Sequence, residues 1–589
     1  MTSQAHGRSR WFMAAAVVVM ALPVVLAGPF TSNGTQPTLV YALNPPSVCA
    51  GCHGGFDSGH NVRPYTTWSG SMMANAGRDP LFWGALDVAN HDLPEVGEWC
   101  LRCHAPAGWL ADRAGAPTGS ADGCSLFGEI DGADDDFEGL TCSLCHRMEV
   151  NASPPAGQQP VYYENGQYWI SDTSCPNGFE PCRSGPYDYA SPPDPPHPWA
   201  YSQYHVDSDN CGNCHNVTNP VLTLIDENGV NTGIPMPVER THREWQQSSF
   251  SQAGPGFATC QNCHMPDALH DPAYPAMGSA INRSGDLPVH ELAGGNAWVP
   301  QVLKGEYPAL GRPAAFDATT TWAEQMLASA ASVMVSAPAL IQGGSALAFD
   351  VRVTNHTGHK LPTGYPEGRR MWLDVAVRDG LGAVLWRSGA WDPATGALAS
   401  DPQLKVYEVK PGIWNHNGSG ECDTADLGGG PLFHFVLNDC IALDNRIPPA
   451  GFSGMSDLET RPVNYTYPET SPGSGILVHW DDTGYSVPIP VGATGPLSVE
   501  ATLQYQTASD GYVGFLRDEA VTYGFPDDCI PRSTGPVAMS RGELAYDLWS
   551  NYERAPPVAM AVDAAPVDLA LFTDDFESGG TGAWAVTVP

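Results

Sequence analysis

The chain has 589 residues, enough for two or three domains, and only 15% of them are charged while 63 are glycine and 54 proline. Helical bundles with charged faces do not have this texture; long ordered loops packed around cofactors do. A formal charge of -37 excludes nucleic acid as a partner and leaves small molecules or basic proteins.

In chain order, the first element is an export signal. Arg8 and Arg10 precede an apolar run from Trp11 to Ala27, and Val25-Leu-Ala27 gives a small-residue cleavage site before Gly28. Residues 1–27 are therefore expected to be a signal peptide, with an uncleaved anchor as the alternative. No other stretch is long and apolar enough to span a bilayer, so no integral membrane span is expected after signal removal. The expected location is periplasmic or extracellular.

From Cys49 to His264 the pattern Cys-x-x-Cys-His occurs five times: Cys49, Cys52 and His53; Cys100, Cys103 and His104; Cys142, Cys145 and His146; Cys211, Cys214 and His215; Cys260, Cys263 and His264. This pentapeptide is the attachment signature of a c-type haem. In a helical turn, residues three apart share a face, so both thiols can bond one macrocycle while the adjacent His reaches the iron as proximal ligand. Structural zinc also uses Cys pairs, but it needs four-ligand closure and does not account for a His after every pair. A thioredoxin-type dithiol would be single and lie near a βαβ pattern. The expected cofactors are five haem c groups.

Between the motifs, Thr66 to Asn90 is expected to be helical, with Trp68, Met72, Phe82, Leu86 and Ala89 on one buried face and Pro80 interrupting it. Asp131 to Asp136 reads as a solvated acidic turn in preference to a calcium site, and Gly185 to Trp199 as a Pro-rich extended connector. Beyond about residue 325 the texture changes. Ala346 to Asn355 alternates as a half-buried strand does, Met371 to Arg387 reads as two strands around Asp379-Gly380, and Leu497 to Tyr505 alternates again. The expected fold is mixed. A helix- and loop-rich multihaem cytochrome c domain over 28–325 is followed by an all-β, sandwich-like domain over 326–564 and an acidic tail over 565–589.

Ten of the sixteen cysteines belong to the motifs, leaving Cys124, Cys175, Cys182, Cys422, Cys440 and Cys529. Export makes disulfides the default for these six. Proximity suggests Cys175 with Cys182 and Cys422 with Cys440, although fifteen pairings remain open.

Beyond the five motifs, three further segments are distinctive: Trp68-Ser-Gly-Ser71-Met-Met73-Ala74 followed by Arg78-Asp79-Pro80; Cys260-Gln-Asn-Cys263-His264-Met265-Pro266; and Gly358-His359-Lys360-Leu361-Pro362-Thr363-Gly364. With the motifs they span about residues 49 to 365, and they resemble the cytochrome c552/c554-type multihaem family. The resemblance implies an exported electron carrier with closely packed haems, in some relatives the scaffold of a nitrogen- or sulfur-compound redox enzyme. Relatives often carry His where this chain has Met73, and a partial second copy, Trp245-Gln-Gln-Ser248-Ser249-Phe250, places Phe250 there.

The candidates for distal iron ligand are the remaining histidines and Met73. His359 is favoured because Gly358 permits close approach and Pro362 stiffens the loop. His290, before Glu291-Leu-Ala-Gly-Gly, and His205, six residues before Cys211, follow, with His60 and His242 behind them. A Met73 thioether would raise the potential of its haem; the competing role is packing on a porphyrin face. Arg102 and Arg147, close to attachment sites, are either propionate partners or solvent-facing charges.

The expected function is electron transfer through five haems between other redox proteins or cytochromes. One alternative is an enzyme acting on a small nitrogen or sulfur compound at a five-coordinate haem. Another is a subunit of an extracellular conductive assembly. No Cys-x-x-Cys-Lys variant occurs. Oligomeric state is not encoded in any feature of the chain.

Overall fold

Pro80 starts a helix instead of breaking one. In the computed structural model, which describes residues 32–55, 62–114, 121–126, 136–176, 178–189, 195–279, 281–530, 532, 535 and 537–570, the stretch read as one helix is two, Pro64–Ser69 and Pro80–Asp92. Proline at the first helical position loses no hydrogen bond, and the Asp79 side chain accepts from Leu81 N at 2.9 Å as cap. Between the helices the chain turns at Gly70, where a Cβ would sit 2.2 Å from the Ala315 carbonyl oxygen. The signal peptide, His60 and Asp131 to Asp135 lie outside the described residues.

Helix Pro80–Asp92 is covered by two helices from the far end of the chain, Asp510–Tyr523 and Arg541–Asn551. The contact is close because Gly542 lies against the Leu516 carbonyl and Gly84 against the Leu516 side chain. Arg541 pairs with Asp87 across it, both side chains buried. One hydrophobic core thereby joins Trp83, Leu86 and Trp109 to Val513, Leu548 and Trp549. Both helices fall inside the span expected to be all-β. Ser509 caps the first, and a reciprocal Ser540–Glu543 capping box starts the second.

The expected strands form two facing sheets. One has the order Val384–Ser388, Arg370–Arg378, Leu497–Gln506, Val558–Ala570, Leu340–Gln342, with Val406–Tyr407 also paired to Arg370–Arg378. The other has the order Trp480–Pro488, Ala346–Asn355, Ala331–Ser336. Alternation drives the facing: Leu347, Phe349, Val351 and Val353 of one sheet share a core with Leu373, Val375, Val499 and Leu503 of the other. Residues 565–570, read as the start of the tail, instead complete strand Val558–Ala570, with Val567 opposite Leu497. The rest of the tail lies outside the described residues.

Helix Pro313–Ala330 runs directly into strand Ala331–Ser336 and so connects the motif-bearing region to the sandwich. Among the described residues no helix is long and apolar enough to cross a membrane. Cys175 and Cys182, and Cys422 and Cys440, lie at disulfide distance, with Cα atoms 4.8 and 5.8 Å apart. The remaining two, Cys124 and Cys529, also meet, joining positions 405 residues apart.

Candidate haem-binding site

All five attachment motifs fold as helical turns. Helices Pro46–His53, Gly97–His104 and Cys260–His264 contain their motifs whole. In the third and fourth, the His amide closes the turn onto the first cysteine: His146 N to Cys142 O at 3.0 Å and His215 N to Cys211 O at 3.0 Å. Paired cysteines therefore share a face, as attachment of one macrocycle to both requires. All ten motif cysteines are free, whereas the other six lie pairwise at disulfide distance. Among the described residues no group of three or more His, Cys, Asp or Glu is arranged to hold a metal ion.

The histidine rings are fixed through Nδ1. His53 Nδ1 lies 2.9 Å from Pro275 O, His146 Nδ1 2.7 Å from Ser184 O, and His264 Nδ1 2.6 Å from Ala293 O. Donation from Nδ1 leaves the Nε2 lone pair for iron, the tautomer an axial ligand needs. Burial pushes all three imidazoles down, His264 to about 4, which keeps them neutral. His104 is held by stacking: its ring lies 3.9 Å from Phe82 at an interplanar angle of 4°, with the Ala76 backbone beside it.

His215 differs from the others. Its Nδ1 meets a carboxylate, Glu239 Oε1, at 3.2 Å. The His215 side chain is 48% exposed; desolvation would lower its imidazole, but Glu239 raises it above the usual histidine value. Burial likewise opposes ionisation of Glu239, yet the His215 hydrogen bond holds its carboxyl below the usual range. A hairpin delivers the pair. Strand Val217–Ile225 leaves the fourth motif and strand Asn231–Glu239 returns, with Glu239 opposite Val217. Nothing local in the sequence marks Glu239, because only the strand register puts it there.

The motifs touch one another through their sulfurs. Cys49 lies beside Cys142, Cys103 beside Cys214, and Cys211 beside Cys260, each neighbour drawing one thiol down and pushing the other up. Cys145 lies close enough to raise both Cys211 and Cys214 further.

No family model matches this chain, and no curated protein does. Among solved structures it is similar to a penta-haem cytochrome c552 from Thermochromatium tepidum, at 18% identity and a TM-score of 0.46, with 89% of this chain and 99% of that chain covered. The likeness is distant, and the site stands on its own geometry.

Of the candidate distal ligands, His290 and His205 both face His146. The His290 ring centre is 6.3 Å from that of His146, with Nδ1 held by Pro288 O at 3.0 Å. Were a haem bound here, His146 and His290 would be the two imidazoles near enough to hold one iron between them. His205 stacks on His146 at 5.7 Å and 11°, but its Nε2 is engaged by Cys145 O at 2.9 Å. His359 is held through Nδ1 by Lys360 O at 2.9 Å, and it is close enough to His264 to depress that imidazole. Gly358 packs against the neighbouring aromatic pair: a Cβ there would lie 3.3 Å from Trp245 and 3.4 Å from Phe250. His242 packs between Tyr163 and Trp245, with Nε2 3.1 Å from Asp209. Met73 sits half-buried in the turn before Ala76, its carbonyl accepting from Leu140 N at 2.8 Å.

Two expectations change here. Arg102 and Arg147 are not solvent-facing, for both are fully buried. Arg102 Nη2 holds the Asn33 and Thr35 carbonyls, and its guanidinium lies 4.6 Å from the Trp109 ring centre. Arg147 holds the Tyr41, Ala42 and Ser171 carbonyls and pairs with Asp172. These arginines stitch the N-terminal segment onto the second and third motifs. A residue that the sequence did not bring forward, His197, is exposed yet near enough to His53 and His146 to depress both. Its one sequence signal is its position between Pro196 and Pro198, which stiffen the connector on both sides.

Proposed function

We propose that this protein is an exported c-type cytochrome that carries five covalent haems and passes electrons between other redox proteins, in the periplasm or outside the cell. The observation that carries this reading is the set of five helical attachment turns, each with two cysteines outside disulfides on one face and a histidine beside them. When bound, the haems supply one-electron chemistry that no side chain of the chain supplies. The chain's part is to fix them. Cys49, Cys52, Cys100, Cys103, Cys142, Cys145, Cys211, Cys214, Cys260 and Cys263 would form the thioethers, and His53, His104, His146, His215 and His264 would hold the irons. The separation and free Nε2 of His290 favour it as the ligand opposite His146. The loop position of His359 favours it opposite His264.

Intact mass spectrometry of the mature protein tests the reading. Five haem masses should survive acid extraction, and three or fewer in fully matured protein would refute it. An electron paramagnetic resonance spectrum then separates carrier from enzyme, since low-spin signals from all five haems leave no open iron for a substrate.

A further inference from the structure

The fourth motif occupies a junction. Its Asn213 carbonyl accepts from Gly166 N at 2.7 Å, and Gly166 lies against Cys103 of the second motif; Ser208, in the helix that carries Cys211, accepts from Cys260 N of the fifth at 3.1 Å. Cys145 of the third motif lies beside both cysteines of the fourth. The first motif contacts the third, through Cys49 and Cys142, so within this array it reaches the fourth by way of the third.

At this junction the histidine has a different partner from those of His53, His146 and His264. Those three place Nδ1 on neutral carbonyl dipoles, whereas His215 places it 3.2 Å from a carboxylate oxygen of Glu239. The same Glu239 oxygen accepts from Thr241 Oγ1 at 3.1 Å, and Thr241 Oγ1 in turn lies 2.8 Å from Thr363 Oγ1. The geometry points to Glu239 as a positioning residue that sets the potential of the haem held by Cys211, Cys214 and His215, keeping it below that of its neighbours in the array. This inference rests on the proposed haem content.

The physical cause is the ligand's basicity. A carboxylate accepting the Nδ1 proton shifts the ring toward imidazolate and makes it a stronger donor, which favours ferric over ferrous iron. Reduction adds one electron beside a fixed negative charge, with no bond made or broken. Thr241 works against this, because its hydroxyl disperses part of the carboxylate charge. An electron crossing between the third motif and the second or fifth along these contacts then meets its highest step at the fourth haem.

Spectroelectrochemical titration of the haem-loaded protein tests this with two variants of opposite sign. Glu239→Gln keeps an accepting carbonyl and removes the charge. It should raise the reduction constant of one haem tenfold or more, 59 mV for one electron, while the other four move less. Thr241→Val should shift the same component the opposite way. The proposal is overturned if Glu239→Gln leaves all five potentials within that margin, or if both variants shift in the same direction, as general loosening would produce. Should Glu239→Gln not mature, Thr241→Val decides alone: a downward shift of one component supports the assignment and no shift overturns it. Wild-type protein without five covalent haems would refute the proposed function, and this assignment with it. Five haems with unmoved potentials would refute the assignment only.

Discussion

The loop that carries His359 is held by a buried set of four charges, and removing one of them should be costly. Lys360 Nζ lies 2.7 Å from Asp444 Oδ2, Arg446 grips the same carboxylate at 2.7 and 3.0 Å, and Arg446 Nη1 lies 2.9 Å from Glu244 Oε1. Glu244 Oε2 closes the ring by accepting from Lys360 N at 3.1 Å and Thr363 Oγ1 at 2.7 Å. Lys360 and Glu244 are fully buried and Asp444 is 2% exposed. At an effective dielectric of about 20, charges 2.7 Å apart attract by about 6 kcal/mol, and desolvation of several kcal/mol per ion offsets much of that. Lys360→Met leaves two carboxylates against one guanidinium, so the expected loss is about 3–5 kcal/mol. Adding Asp444→Asn restores neutrality and should recover about 2 kcal/mol of it. Guanidinium unfolding followed by circular dichroism measures both variants. The single variant should also raise a high-spin signal, because the backbone that presents His359 loses its anchor. A loss below about 1 kcal/mol, or strictly additive effects in the double variant, would refute the reasoning.

Three other perturbations test separate parts of the site. Gly166 has φ +61°, and a Cβ there would lie 2.7 Å from Cys103 Sγ, so Gly166→Ala should hinder one thioether of the second motif; alkylation followed by mass analysis should then label one extra thiol. His290→Ala should convert one low-spin haem to high-spin, and an unchanged resonance spectrum would reduce His290 to packing. Burial raises Glu367 from 4.5 to about 7, with Tyr365 and Asn438 hydrogen bonds opposing. The folded protein therefore keeps this proton where the unfolded chain releases it. The resulting stabilisation is complete below pH 4.5 and lost as pH rises through 7, about 3 kcal/mol in all. Glu367→Gln should remove that component from the pH dependence of unfolding, and an identical profile would refute it.

What the sequence made legible follows from what is local. Thioether attachment demands a fixed pentapeptide, so the five motifs and their histidines could be read directly. Strand Ala346–Asn355 could be read because its alternation matches a single buried face. The helices Asp510–Tyr523 and Arg541–Asn551 were missed because the surface they cover belongs to Pro80–Asp92, far away in the chain. Their caps, Ser509 and the Ser540–Glu543 pair, were readable signals that the strand pattern around them obscured. Glu239 escaped for a different reason, since a glutamate at a strand end looks the same whether it faces solvent or a histidine. Arg102 and Arg147 escaped because their partners are main-chain carbonyls of residues 33 to 42, and such acceptors carry no residue code.

The shared core of Trp83, Leu86, Val513 and Trp549 also imposes an order of events on the growing chain. Contacts so distant in sequence cannot form until almost all of the polypeptide has emerged, and topologies of this kind fold slowly. Throughout that interval helix Pro80–Asp92 lacks its cover, and the region around the first two motifs stays open. The four thiols of the first two motifs are thus reachable for covalent modification before the surrounding chain packs around them, in a window whose length is set by how late residues 510–551 arrive.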